Sequence, residues 1–400
     1  MHDAQPSDAP TQRSWYRPLR ARNPDEAHRA STPLELLFDL CFVVAVALAA
    51  GRLHHALAEN HIGPALVGYA MVFFAIWWAW MNFTWFASAF DNDDVPYRLA
   101  TLVQIAGALV LAAGVPRAFD SNDFAVVTFG YLIMRVALVA QWLRAARADT
   151  TQRRSATRYA SGVGLCQVGW LLRLALPTNL AVATFVLLAL AELAVPIWAE
   201  RGSHYTWHPG HIAERYSLFT LIVLGESILA ATTAIQVALD GGAGKPSLLL
   251  AAGSGLLIVF AMWWIYFDHT EEEQQPTPRN SFAWGYGHLV IFAAAAAVGA
   301  GLQVAIDATT GTAHLPTRAS GLALAVPIAL YLLGVWGLNI GSPQRTGLRA
   351  IAPPLVAVLI IAAGFTPWAL SLIALLLVLR VVAAILTRQP DVEAAMASRH

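Results

Sequence analysis

About a dozen long apolar runs, separated by short polar breaks, occupy the chain from Leu34 to roughly Leu386. A run of about 18 or more mostly apolar residues is long enough to cross a bilayer, because ~20 residues at a 1.5 Å rise match the ~30 Å hydrocarbon layer. One or two such runs fit inside a soluble core, but a dozen in series do not. In hydrocarbon every backbone amide must be satisfied within the protein, which leaves helices or a closed barrel. The runs lack the period-two alternation of a barrel. An all-α polytopic membrane bundle of about 12 transmembrane helices is the expected fold class.

Composition agrees. Hydrophobic residues make up 57% of the 400 and charged residues 12%, against ~25% charged in an ordinary soluble domain. Fourteen Trp fit a chain that meets two bilayer interfaces, where indole rings collect. Formal net charge is zero, so nothing points to a nucleic-acid partner; the expected partners are the lipid bilayer, a proton or cation, and a small solute. Cys41 and Cys166 lie in apolar runs and give neither a disulfide framework nor metal spacing. The stretch up to Thr32 is polar and Arg-rich without an apolar centre, so it is not expected to be a secretory signal.

The spans are expected near 34–57, 62–90, 97–115, 121–146, 157–176, 178–198, 215–239, 247–269, 282–306, 319–340, 348–363 and 365–387. The tight turn at Gly364, Thr366 and Pro367 leaves the last pair readable as one long helix. With a cytoplasmic N-terminus, 18 of the 25 Lys and Arg fall in cytoplasmic segments and five in outer ones (Arg52, Arg117, Arg173, Lys245 and Arg318), while Arg135 and Arg380 lie within spans. That asymmetry predicts both termini inside and an inner-membrane location. It divides the chain into a polar tail (1–33), a first six-helix half (34–200), a second half (201–387) and a C-terminal tail (388–400).

The halves share sequence. Helix 2 carries Phe73-Phe74-Ala75-Ile76-Trp77-Trp78-Ala79-Trp80-Met81-Asn82, and helix 8 carries Val259-Phe260-Ala261-Met262-Trp263-Trp264-Ile265-Tyr266-Phe267-Asp268. Phe38-Asp39 of helix 1 aligns with Phe219-Thr220 of helix 7. Six spans per repeat would make the halves parallel, related by an axis along the membrane normal. Chance similarity between Trp- and Phe-rich helices is the competing reading.

An ionisable group in hydrocarbon costs ~2.5–3.5 kcal/mol on insertion scales and marks a functional candidate. Glu35 and Asp39, four apart, share one face of helix 1; the helix dipole accounts for Glu35 but poorly for Asp39, which lies inside the apolar run. Helix 7 carries His211, Glu214 and Arg215, then Leu224-Gly225-Glu226-Ser227. Eleven residues place Arg215, expected at the interface, and Glu226, expected mid-membrane, on one face ~16 Å apart. Gly225 would admit a neighbouring helix, and Arg135 in helix 4 is the candidate partner for Glu226. A buried Glu–Arg pair that only fixes register is the alternative. Asp268 and His269 close helix 8, and with Glu35, Asp39, His211 and Glu214 they share one membrane level. The Glu271–Glu273 run reads as a solvated loop. Arg173, Glu192 and Arg380 read as snorkelling near span ends, and His288 as a hydrogen-bonded core residue.

There is no Gly-rich phosphate loop, Cys-x-x-Cys, His-Glu-x-x-His or Gly-x-Ser-x-Gly. No cofactor and no catalytic residue is therefore expected, and the short loops leave no room for an ATP-hydrolysing domain.

Pro33-Leu34-Glu35-Leu36-Leu37-Phe38-Asp39-Leu40-Cys41-Phe42-Val43 resembles the opening signature of the bacterial low temperature requirement protein A family. Glu214-Arg215-Tyr216-Ser217-Leu218-Phe219-Thr220-Leu221-Ile222-Val223-Leu224-Gly225-Glu226-Ser227-Ile228 is similar to its second signature, and the Trp-rich helix ending Phe267-Asp268-His269 to a third. Leu37 and Cys41 depart from the expected Phe and Val, conservatively. The resemblance spans roughly 31–387 and implies a multi-pass bacterial inner-membrane protein. The family's name records a growth phenotype in the cold, which leaves the substrate open.

The leading functional expectation is a secondary transporter or ion pathway, with Glu226 and Asp39 as titrating or coordinating groups, Asp268 on the cytoplasmic route, Arg215 and Arg135 as charge partners, and Glu35, Glu214, His269 and Ser227 nearby. An intramembrane metal-dependent enzyme or ligand sensor, with His211, His269 and Asp268 as metal candidates, is the second expectation. A structural membrane protein is the third.

Overall fold

The computed structural model of the chain describes residues 15–22, 30–90, 92–202, 207–240, 245–268, 280–311, 314–339 and 348–387. Among these there are twelve helices and no strand. They are α1 (Pro33–Ala58), α2 (Ile62–Ala89), α3 (Val95–Asp120), α4 (Ala125–Ala148), α5 (Arg153–Arg173), α6 (Ala181–Ala199), α7 (Pro209–Asp240), α8 (Lys245–Phe267), α9 (Ser281–Thr310), α10 (Thr317–Leu338), α11 (Leu348–Gly364) and α12 (Ala369–Leu386). The last pair is two helices, separated by a turn in which Phe365 N–H and Thr366 N–H donate to the Ala362 and Ala363 carbonyls.

Local chemistry sets several boundaries. Thr32 caps α1 by accepting from Glu35 N–H at 3.3 Å, and Glu35 accepts in return from Thr32 N–H at 2.7 Å. This reciprocal pair satisfies two amides that a helix start leaves open. Pro33 fills the first helical position, where no N–H is needed. Asp94 caps α3 through Tyr97 N–H at 2.9 Å. α7 starts at Pro209, six residues before the expected span, because a Pro-led extra turn and a half precedes the apolar run.

Ten of the helices are long and apolar enough to cross a membrane, and the chain is a multi-pass membrane protein. α5 starts with Arg153, Arg154 and Arg158 and α11 is only 17 residues long, so these two fall short of the expected full set. The outward faces are aliphatic: Leu165, Leu187, Leu249 and Val358 are each at least 66% exposed. The interior is aromatic and polar. Trp77, Trp78 and Trp80 are fully enclosed rather than placed at the interfaces, where such residues are expected. Their burial has a chemical reason, since two of these indoles donate to buried carboxylates.

The helix neighbours recur. α1 packs on α2 and α3, α3 on α4, α4 on α5, and α5 on α6; likewise α7 packs on α8 and α9, α9 on α10, α10 on α11, and α11 on α12. α1 and α2 also touch α7 and α9, which joins the first six helices to the second six, whereas α8 packs closely on α12. Hydrocarbon gives no solvent-exclusion force between helices, so close backbone approach matters. A Cβ on Gly130 of α4 would run into the Leu111 backbone of α3, and one on Gly301 of α9 would meet the Ala323 carbonyl of α10 at 2.6 Å.

Residues 15–22, expected to belong to a polar tail, lie against the bundle. Arg17 N–H donates to Asp94 at 2.8 Å, Arg22 N–H to the Ala89 carbonyl at 3.0 Å, and Ala21 N–H to Asp149 at 3.3 Å, with Leu19 fully buried. This strap covers the α2–α3 and α4–α5 turns.

Candidate functional site

Two charged networks lie inside the bundle. The first joins α1, α2 and α7. Asp39, in the second turn of α1, receives Arg215 Nε on Oδ2 at 2.8 Å and Arg215 Nη2 on Oδ1 at 2.5 Å. Trp80 Nε1 from α2 adds a bond to Oδ1 at 2.7 Å, and Thr84 Oγ1 lies 3.4 Å from Arg215 Nη2. Asp39 and Arg215 are both 0% exposed. Such a two-pronged guanidinium–carboxylate contact fixes orientation as well as charge.

One turn toward the start of α1, Glu35 Oε1 stands 3.5 Å from both Arg215 Nη1 and His211 Nε2. Glu35 Oε2 is already committed to Thr32. Arg215 Nη1 and both ring nitrogens of His211 are buried without a hydrogen-bond partner among the described residues. Nearly all buried polar atoms in folded proteins are bonded, so three unspent donors or acceptors beside a carboxylate form a place able to take up a proton or bind a small polar guest. Two corrections follow. Arg215 is fully enclosed by the bundle, about two turns in from the early start of α7. Asp39 pairs with it directly, across α1 and α7.

The second network is one the sequence reading underrated. Glu192, in α6, is 1% exposed rather than snorkelling. Its Oε1 accepts from Tyr131 Oη at 3.0 Å, Gln167 Nε2 at 3.1 Å and Trp170 Nε1 at 3.2 Å, and its Oε2 from Trp78 Nε1 at 2.9 Å. Arg135 Nη2 is 3.9 Å from Oε2 and donates to Tyr131 Oη at 2.6 Å. Glu192 interrupts Leu190-Ala191 and Leu193-Ala194, a signal visible in the sequence. Arg135 therefore meets Glu192, on a neighbouring pair of helices, and not Glu226. Arg173 is likewise buried, with its guanidinium over the Phe124 and Phe185 rings.

Glu226 stands apart from both networks. It is half-buried on α7 and makes no hydrogen bond or ion pair among the described residues. Gly225 has no neighbour within 4 Å of a built Cβ, so it is not a helix-contact point. Helix spacing does put Arg215 and Glu226 on one face, but α1 and α2 close over that face only at the Arg215 level. Ser227 is a packing contact, donating to the Ala295 carbonyl of α9 at 3.0 Å. Glu214 accepts from Ser31 N–H at 3.1 Å and holds the approach to α1. Asp268 lies just after α8 and is half-buried; His269 and Glu271–Glu273 lie outside the described residues. His288 is a core residue as expected, bonded to the Trp284 carbonyl at 2.8 Å and Tyr266 Oη at 3.1 Å. Among the described residues no three His, Cys, Asp or Glu side chains converge as a metal site.

The segment that places Asp39 and the segment that places Arg215 are two of the three that carry the resemblance noted above. A model of the bacterial low temperature requirement A protein (LtrA) family matches residues 30–387. The chain belongs to the LtrA family. An uncharacterised protein of Rhizobium meliloti (strain 1021) is similar, with 27% identity over 291 residues, 68% of each chain. In this LtrA member the opening signature supplies Glu35 and Asp39, and the second supplies Glu214, Arg215 and Glu226. Trp80, which lies outside the signatures quoted, completes the Asp39 site.

Proposed function

We propose that this LtrA protein is a secondary transporter or ion pathway of the bacterial inner membrane, with both termini cytoplasmic. Its proton- or cation-responsive centre is the Glu35–His211–Arg215–Asp39 cluster. The observation that carries this reading is the unspent hydrogen-bonding capacity of Arg215 Nη1 and the His211 ring beside Glu35, at the contact of α1 with α7. A proton arriving there has a carboxylate and an imidazole to choose between, and either choice alters the pull on Arg215 and hence on the α1–α7 joint. Glu226, farther along α7, serves as a second acid on the route, and Asp268 belongs to the same end as His211.

The recurring helix neighbours support two parallel six-helix repeats. At the aligned positions the contacts differ: Trp80 bonds Asp39, while Tyr266 bonds His288 and Thr220 bonds the Tyr216 carbonyl. The first half then bears the charge and the second a neutral counterpart, which suits one responsive half and one static half.

The test is flux in proteoliposomes carrying a trapped pH-sensitive dye, with imposed proton, sodium and potassium gradients. Wild type dissipates a gradient, while Asp39→Asn, His211→Gln and Glu226→Gln, each inserted and folded, do not. Wild-type flux in Glu226→Gln removes Glu226 from the route, and no flux of any of the three ions in wild type defeats the proposal. A purely structural role is the second reading, favoured by the enclosure of the Glu192–Arg135 network by four neutral donors. It predicts that paired apolar replacement of Glu192 and Arg135 leaves flux unchanged.

A further inference from the structure

A cleft opens beside the Glu192 network, lined from α2, α4, α5 and α6 and by Trp207 and Phe282. Its walls are aromatic and held in place. The Trp142 and Tyr159 rings stack at 4.2 Å and 3°, and Trp85 meets Trp207 edge to face at 5.0 Å. The N–H groups of Trp78 and Trp85 are spent on Glu192 and on the Tyr216 hydroxyl at 2.9 Å each, and Trp85 and Phe282 are the half-buried rings of the lining.

One carboxylate enters this aromatic box. Glu200, just past α6, accepts from Tyr159 Oη on Oε1 at 2.7 Å and keeps Oε2 without a partner among the described residues. No Lys, Arg or His is among the residues described as lining the cleft. Burial pushes the Glu200 carboxyl above its ordinary range, against the hydrogen bond from Tyr159.

From this we infer that the cleft is a binding site for a small organic cation, an ammonium with an apolar body. Ring faces attract a cation through their quadrupole, and Glu200 supplies the formal charge among the described lining residues. A bare inorganic cation is a poor fit, since calcium-type sites need six or more oxygens. An anion meets only Glu200 and the negative faces of the rings. A neutral aromatic guest would fill the box but gain nothing from Glu200. The site lies apart from the α1–α7 cluster, and its occupancy does not require that the chain move ions.

The test uses the full chain in lipid nanodiscs with benzyltrimethylammonium as probe and neopentylbenzene, its uncharged isostere, as control, read by quenching of tryptophan emission and by calorimetry. Saturable binding of the cation is expected, with the isostere at least about tenfold weaker. Glu200→Gln, which keeps an acceptor for Tyr159, weakens the cation about tenfold and leaves the isostere unchanged; Trp142→Leu weakens both. The unfolding temperature checks that each variant is folded, and if Glu200→Gln is not, Trp142→Leu and the two-probe comparison on wild type decide. No saturable cation binding up to ~10 mM, equal affinity for the two probes, or unchanged cation affinity in folded Glu200→Gln overturns the assignment.

Discussion

Asp39 and Arg215, 176 residues apart, form a two-pronged ion pair with neither side chain exposed, and it joins α1 to α7. Few contacts in the bundle do as much. The pair links the first six helices to the second six, holds Trp80 of α2 in place, and leaves one arm of the guanidinium facing Glu35.

Removing one partner of such a pair strands the other charge. Arg215→Met is expected to destabilise the protein by ~3–5 kcal/mol. The double variant Asp39→Leu/Arg215→Met should recover most of that loss, because two buried charges leave together. Thermal unfolding in detergent reads both. A double variant no more stable than the singles shows that the two side chains are not coupled.

Glu192→Leu removes the acceptor of four donors and the counter-charge of Arg135. A loss of about 3–5 kcal/mol is expected. Glu226→Gln touches no described partner and should stay within ~0.5 kcal/mol of wild type. Denaturation of both variants side by side separates a carboxylate that holds the bundle together from one that does not.

The α3–α4 contact has no room for a methyl group at Gly130. Gly130→Ala should cost about 1–3 kcal/mol by forcing the helices apart. Gly225→Ala, with open space around it, should be neutral or gain up to ~1 kcal/mol from better helix propensity. Expression level and unfolding temperature give the comparison, and equal effects at the two sites would contradict the packing described for α3 and α4.

Asp149 ties the 15–22 strap to the α4–α5 turn. Burial raises its carboxyl, but bonds from the Thr151 hydroxyl and from Ala21, Thr151 and Gln152 N–H outweigh that and hold it below the ordinary range. A depressed carboxylate contributes stability that is present above its unfolded value, near ~3.9, and is lost as pH falls through the folded value. Amide exchange at Ala21 and Arg22 should therefore quicken as pH drops below about 4, after correction for the intrinsic rate. Asp149→Asn should remove the pH dependence. Protection at Ala21 that is flat with pH in wild type would show that Asp149 does not hold the strap.

Much of the fold was legible because hydrocarbon imposes a length and a composition on each segment. Leu34 to Leu57 and Ser281 to Thr310 could hardly be anything but helices. Asp39 stands out as a costly residue for the same reason, from its neighbours in sequence alone, whereas Arg215 reads as an interfacial charge. Pairing was another matter. Depth alone suggests Glu226 as the partner of Arg135, yet α4 packs against α3 and α5 and reaches Glu192 through Tyr131. Nearness to a span end makes Glu192 read as a snorkelling residue, although the donors that surround it come from α2, α4 and α5, far off in sequence. Fourteen Trp suit a chain that meets two interfaces, but no local pattern says that Trp78 and Trp80 turn inward to two acids.

The chain by itself determined that it lives in a membrane as a series of apolar helices and that Asp39 sits there at a cost, since both follow from transfer of short segments out of water. Which acid meets which base, which face of α7 is covered, and where an aromatic cleft stays open were decided only when twelve helices packed together. Those outcomes depend on which neighbour arrives at a given depth, a non-local property that no window of sequence contains.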